Sequence, residues 1–239
     1  MNVVRMGLVL VAVLMIAAEL SAQTLNVSQI NNNGNGTLTV GGSFTPAAGE
    51  TVESVQIFVV PEGGGTAYVA TATLNPDGTF TTNISVATGG YKVYVVANTR
   101  PNDGTGVKQF ISPVSSIAVT GGNNPKPPTP GTVTHDDGKP KVIPGTNPKQ
   151  IESSGTVTVD PNRATDKDSI EITIVPNAPS SANTTTPPIL NGGRPSKAGG
   201  TFTGTATVSG EGPYTVLIRI TITVRGVTYY IYAKPMSIR

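Results

Sequence analysis

The sequence predicts an all-β protein made of two tandem antiparallel β-sandwiches. Three observations carry that prediction. Only 13% of the 239 residues are charged, while Gly (28) and Pro (20) are abundant and Thr and Val are frequent. Low charge with β-branched residues and many turn formers favours short strands over helices or a disordered chain. Apolar and polar residues alternate over short runs, as in 79–86, where Phe80, Ile84 and Val86 share one face and Thr81, Asn83 and Ser85 the other. Finally, one phrase occurs twice. Asp77-Gly78-Thr79-Phe80-Thr81 leads through Ile84 to Gly89-Gly90-Tyr91-Lys92-Val93; Gly199-Gly200-Thr201-Phe202-Thr203 leads through Ala206 to Gly212-Pro213-Tyr214-Thr215-Val216. Each is a turn, an alternating strand, a Gly turn and a second strand opening on Tyr.

The chain divides into four parts. Residues 1–22 predict a secretory signal peptide: Arg5 supplies the positive start and 8–18 the apolar run, which is shorter than the ~20 residues of a bilayer span. Ser21 and Ala22 are small residues at the expected cleavage point, so no membrane span is expected after processing. Residues 23–120 are the first sandwich, 121–150 a Pro/Gly-rich linker, and 151–239 the second sandwich.

In the first sandwich, strands are expected at 25–30, 37–44, 54–60, 67–74, 79–86, 91–97 and 107–119. The strand at 54–60 is apolar on both sides, with Val55, Ile57 and Val59 on one and Phe58 and Val60 on the other, which predicts a central, covered strand. Asn75-Pro76-Asp77-Gly78 is a turn: Pro presets φ and Gly accepts a positive φ. Residues 121–150 hold Pro125, Pro127, Pro128, Pro130, Pro140, Pro144 and Pro148 and lose the apolar period, which predicts a semi-stiff interdomain spacer of low order, open to proteolysis.

The pattern then restarts. Gly155-Thr156-Val157-Thr158-Val159 echoes Gly36-Thr37-Leu38-Thr39-Val40, and Ser169-Ile170-Glu171-Ile172 echoes Ser54-Val55-Gln56-Ile57. Residues 177–197 predict a long polar loop. The run 214–224 alternates most cleanly, and Arg225-Gly226 turns it into a final strand at 227–238.

The run NPDGTFTTNISVATGGYKVYVVA resembles the late half of bacterial immunoglobulin-like and carboxypeptidase-regulatory-like modules. That resemblance implies an Ig-like fold, a spacer, adhesive or accessory role, and no catalytic residues. Ig-like sandwiches often keep a Tyr two residues before an inward core position, its hydroxyl bonded to upstream backbone. Tyr91 and Tyr214 stand at that offset before Val93 and Val216 and are expected to be structural tyrosine corners. The core Cys pair and Trp of antibody domains are missing.

Composition narrows the chemistry. The formal charge of +2 is too small for an electrostatic grip on nucleic acid. Without Cys there is no disulfide frame, thiolate zinc site or Cys nucleophile. The single His, His135, lies in the Pro-rich stretch beside Asp136 and Asp137, where the fixed partners of a metal site or a triad are not expected. Asp160, Asp166 and Asp168 form the densest acidic group and are the Ca²⁺ candidates, though Arg163 and Lys167 sit among them. Tyr229, Tyr230 and Tyr232 on the last strand are the ligand-binding candidates, either stacking on sugar rings or packing across strands.

The expectation is therefore a non-enzymatic protein with no cofactor, secreted or periplasmic, acting as a structural or interaction element of the cell surface or envelope. Its partner would be an envelope protein. The alternatives are a carbohydrate-binding protein using a Tyr-bearing sheet face, with a glycan as partner, and an accessory module of an exported enzyme system.

Overall fold

The computed structural model describes residues 23–159, 171–177, 189–190, 199–208 and 212–239. Among them the chain is all strand and turn, with no helix. The first strands are β1 (Thr24–Asn32), β2 (Thr37–Thr45), β3 (Glu50–Pro61), β4 (Gly65–Thr66), β5 (Tyr68–Ala72), β6 (Thr79–Ser85), β7 (Ala87–Pro101), β8 (Lys108–Ile111) and β9 (Ser115–Asn123). Then come β10 (Gly131–His135), β11 (Lys141–Ile143), β12 (Lys149–Val159), β13 (Glu171–Asn177), β14 (Ile189–Leu190), β15 (Gly199–Val208), β16 (Tyr214–Val224), β17 (Val227–Tyr232) and β18 (Met236–Ile238).

These strands make four antiparallel sheets. Sheet I has the order β1-β2-β6; sheet II has β5-β3-β7-β8, with β9 also on β7. Sheet III runs β13-β16-β17-β4, with β18 on β16; sheet IV runs β10-β12-β15-β14, with β11 on β12.

The sheets stack in the order I, II, III, IV, with an apolar layer in each gap. Leu38, Val40 and Phe44 of sheet I meet Val55, Ile57, Val93 and Val95 of sheet II. Val157, Val159 and Phe202 of sheet IV meet Val216, Ile218, Ile220 and Ile222 of sheet III. The middle layer joins sheets II and III: Phe58, Val60, Tyr94 and Val96 pack with Leu217 and Tyr232. Side chains alternate across a strand. A strand in sheet II or III therefore stays apolar at consecutive positions, as in the fully buried run Ile57-Phe58-Val59-Val60.

Two glycines show how closely the outer sheets pack. Gly42 of β2 stands opposite Phe80 of β6, and a Cβ there would meet the Asn26 carbonyl of β1 at 2.1 Å and the Phe80 ring at 2.9 Å. Gly155 of β12 stands opposite Phe202 of β15, and a Cβ would meet the Thr134 carbonyl of β10 at 1.9 Å and the Phe202 ring at 2.8 Å. In each sheet a Phe ring covers the bare backbone that a strand glycine leaves.

Two expectations need correction. Residues 121–150 are not free of strands. β10 pairs with β12 from Gly131 opposite Val159 to His135 opposite Gly155, and β11 pairs with its other end. Val133 is buried while Thr132 and Thr134 face solvent, a short alternation hidden by the surrounding prolines. Those prolines lie in the connections: Pro125, Pro127, Pro128 and Pro130 precede β10, and Pro140, Pro144 and Pro148 flank β11. The expected single strand at 107–119 is two, β8 and β9, interrupted at Ser112-Pro113-Val114. Proline has no N–H for the ladder, and the Ser112 hydroxyl instead accepts a bond from the Val95 amide at 2.9 Å.

Candidate functional site

Four aromatic side chains, Phe58, Tyr94, Tyr230 and Tyr232, meet at the junction of sheets II and III. Phe58 and Tyr94 face the same side of neighbouring strands and stack at 5.0 Å between ring centres. Tyr230 meets the Phe58 ring edge-on at 5.2 Å. The Arg219 guanidinium lies 5.6 Å from the Phe58 ring centre and 5.3 Å from that of Tyr230, within cation–π range. The hydroxyls of Tyr94 and Tyr232 hydrogen-bond at 2.5 Å in a fully buried setting. Burial pushes both phenols above their ordinary range, although the charge of Arg219 works in the opposite direction. Both hydroxyls therefore stay protonated at neutral pH.

A short strand from the first half of the chain completes sheet III. β4 pairs with β17, Thr66 opposite Ile231 and Gly65 opposite Tyr232, and the Ala67 amide donates to the Tyr230 carbonyl at 2.9 Å. The glycines before it make this approach feasible. Gly64 has φ of +81°, and a Cβ there would lie 2.9 Å from the Lys234 amide nitrogen and the Tyr232 carbonyl oxygen. The Pro-rich crossing is tied to the same place: the Thr66 hydroxyl donates to the Pro128 carbonyl at 2.9 Å.

Two cavities flank this crossing. The larger, about 460 Å³, is lined by Tyr68, Asn83, Ser85, Thr228, Tyr229 and Tyr230 among others. Among the described residues its lining offers rings, hydroxyls and an amide, and no Asp, Glu, His, Lys or Arg, so it suits a neutral ligand. The smaller, about 300 Å³, is lined by the Gly63–65 loop, Tyr68, Gly89, Gly90 and Tyr91, with Glu62 and Lys126 as its charges.

The candidates from the sequence scatter. Tyr229 and Tyr230 are half-buried and line the larger cavity. Tyr232 belongs to the core and has no surface to offer a ligand. Tyr91 is buried, and its hydroxyl donates to the Ala87 carbonyl at 2.8 Å, four residues upstream. The Ala87 amide in turn donates to the Tyr68 hydroxyl at 2.9 Å. Tyr214 is buried under Gly212, whose position leaves 3.1 Å between a built Cβ and the Tyr214 ring. Asp160, Asp166 and Asp168 lie outside the described residues. Among those that are described, no three His, Asp or Glu residues come together as a metal-binding group.

His135 sits at the end of β10 rather than in a solvated spacer. Its Nε2 lies 2.9 Å from the Lys234 carbonyl, which makes Nε2 the protonated nitrogen, and among the described residues Nδ1 is buried without a partner. Burial holds the imidazole below its usual pKa.

Tyr68, Tyr94, Leu217 and Arg219 were not among the candidates from the sequence. A signal existed for Tyr94: with Val96 it repeats, on β7, the second apolar face seen at Phe58 and Val60. Nothing in the sequence says that sheet III is what covers that face. No family model matches the chain, and comparison with curated proteins gives no match.

Proposed function

We propose that this is an exported, non-enzymatic structural or interaction element of the cell surface or envelope, made of two Ig-like sandwiches locked into one rigid body. The observation that carries this reading is the middle layer. Tyr94 bonds Tyr232, Phe58 packs on Tyr230, and β4 of the first half completes a sheet of the second. A buried apolar contact with a shared sheet resists bending, as a spacer or display scaffold must.

Strand order supports the Ig-like part. In the first unit β1-β2-β6 would be strands A, B and E, facing β5-β3-β7-β9 as C′, C, F and G. In the second, β10-β12-β15-β14 would be A, B, E and D, facing β13-β16-β18 as C, F and G. Tyr91 stands opposite Ile117 and Tyr214 opposite Ile238, equivalent places in such a repeat. On this reading the second unit opens at β10. Tyr91, with its hydroxyl on the Ala87 carbonyl, is a tyrosine corner.

Export follows from the signal-like residues 1–22. Cell fractionation with solution scattering of the purified chain tests the proposal. Retention in the cytoplasm would sink the export part. A scattering curve that needs two independently tumbling bodies would sink the rigid scaffold.

The glycan-binding alternative is favoured by one observation, the neutral lining of the larger cavity with Tyr229 and Tyr230 beside Asn83 and Thr228. A neutral-glycan array with wild type and Tyr229→Ala decides it: saturable binding lost in the variant would favour the glycan reader.

A further inference from the structure

Three strand edges converge on the larger cavity. β5 ends sheet II and β6 ends sheet I, each with a neighbour on one side only among the described residues. β17 carries β4 on its outer edge, but only along Ile231 and Tyr232, with one further bond at Tyr230. β17 continues past that point through Tyr229 and Thr228 to Val227, while the first-half chain turns away into β5. The cavity lies there, bordered by Tyr68, Val69 and Ala70 of β5, by Asn83, Ile84 and Ser85 of β6, and by Thr228, Tyr229 and Tyr230 of β17.

The ladder identifies which backbone groups face this space. The Tyr230 carbonyl accepts from Ala67, so Tyr230 turns its polar backbone outward. Backbone direction alternates along an edge strand, so Thr228 turns its N–H and C=O the same way. Thr228 is exposed, and no backbone partner meets its outer edge among the described residues.

Natural edges are usually guarded by Lys, Pro or bulges. β5, β6 and β17 contain no charged residue and no Pro. Some other edges are charged, with Lys108 on β8 and Lys141 on β11, while β1 is uncharged like these three.

We infer that this cavity is a recognition slot for an extended, uncharged polypeptide segment, which adds to the β17 edge as a continuation of β4. The chain itself shows that the edge accepts a strand, because β4 already occupies its other end. Main-chain bonds to Thr228 would give affinity, and side chains alternating toward Tyr68 and Tyr229 would give selectivity. The ladder left open is short, three residues or about 10 Å, which suits a weak, reversible partner. The inference rests on the interaction-protein reading above and names its partner class.

The test uses the full mature chain and a phage-displayed library of random ten-residue peptides. Selected peptides are synthesised and measured by calorimetry and amide hydrogen exchange. The expected result is saturable binding that slows exchange at Thr228. Methylating alternate backbone nitrogens of the peptide should weaken binding about tenfold by removing its donors. Thr228→Lys, which guards the exposed edge, should weaken binding about tenfold with an unchanged Tm. Ser85→Lys, on the opposite wall, is the second variant should Thr228→Lys fail to fold.

No enrichment over the naive library would overturn the slot. So would binding indifferent to both lysines, or neutral oligosaccharides shifting the Tyr229 ring while peptides do not. Self-association of the chain through Thr228 would replace the peptide with a second copy and overturn it too. A scattering curve still fitted by one rigid body would then leave the scaffold reading standing, so the two failures are distinguishable.

Discussion

The hydroxyls of Tyr94 and Tyr232 meet at 2.5 Å across 138 residues of chain, one from each side of the middle apolar layer. A buried hydroxyl that loses its partner costs about 1–3 kcal/mol. Tyr94→Phe and Tyr232→Phe should each destabilise the chain by that order, and the double variant should cost less than the sum. A double-mutant cycle by urea unfolding checks this. Strict additivity would mean that the two hydroxyls do not depend on one another.

Gly64 is the second lever on this junction. Its positive φ and the lack of room for a Cβ, 2.9 Å from backbone atoms of the facing strand, predict that Gly64→Val displaces β4. The Ala67 amide should then exchange much faster, and stability should fall by more than about 1 kcal/mol. Gly63 has nothing within 4 Å of a built Cβ, so Gly63→Ala is the neutral control. Equal effects at both sites would show that loop flexibility, not close approach, is what matters.

Tyr91→Phe removes the donor to the buried Ala87 carbonyl while keeping the ring packed near Gly89 and Tyr68. The expected loss is about 1 kcal/mol in thermal or urea unfolding. A variant as stable as wild type would show that the ring alone matters and would count against a tyrosine corner.

Stability should fall with acid through His135 first and then through Glu50 as well. His135 is held neutral by burial, below its ordinary value of 6.5. The unfolded chain therefore takes up its proton first, and stability present above pH 6.5 declines as pH drops below it. Protonation would also put a hydrogen on Nδ1, which has no acceptor among the described residues. Glu50 is held below its ordinary 4.5 by Lys108, helped by Thr99 and Gln23. Its contribution is full above 4.5 and is lost as pH falls through the lowered folded value. Melting curves against pH should lose the His135 contribution in His135→Gln and part of the carboxylate contribution in Glu50→Gln, since Asp77, Asp103 and Glu152 are also held low. An unchanged profile in either variant would remove that residue from the account.

The strand-by-strand alternation was legible because a half-buried strand must repeat every two residues. Phe80, Ile84 and Val86 turned inward as their spacing required. β10 was illegible because five residues among many prolines carry too short a period, and only pairing with β12 reveals it. The candidate tyrosines were legible as a cluster but not by role: the same alternation that leaves Tyr229 at the cavity sends Tyr232 into the core beside Tyr94.

By itself the sequence determined that the chain is all-β and that β3 is covered on both faces, because local periodicity and turn chemistry need no knowledge of distant residues. It could not say what covers the second face. The tertiary structure decided that: sheet III packs on sheet II, β4 completes sheet III, and three uncharged strand edges meet at one cavity. The contacts with sheet III join residues more than a hundred positions apart, and no local pattern in the chain encodes which apolar face will bury which.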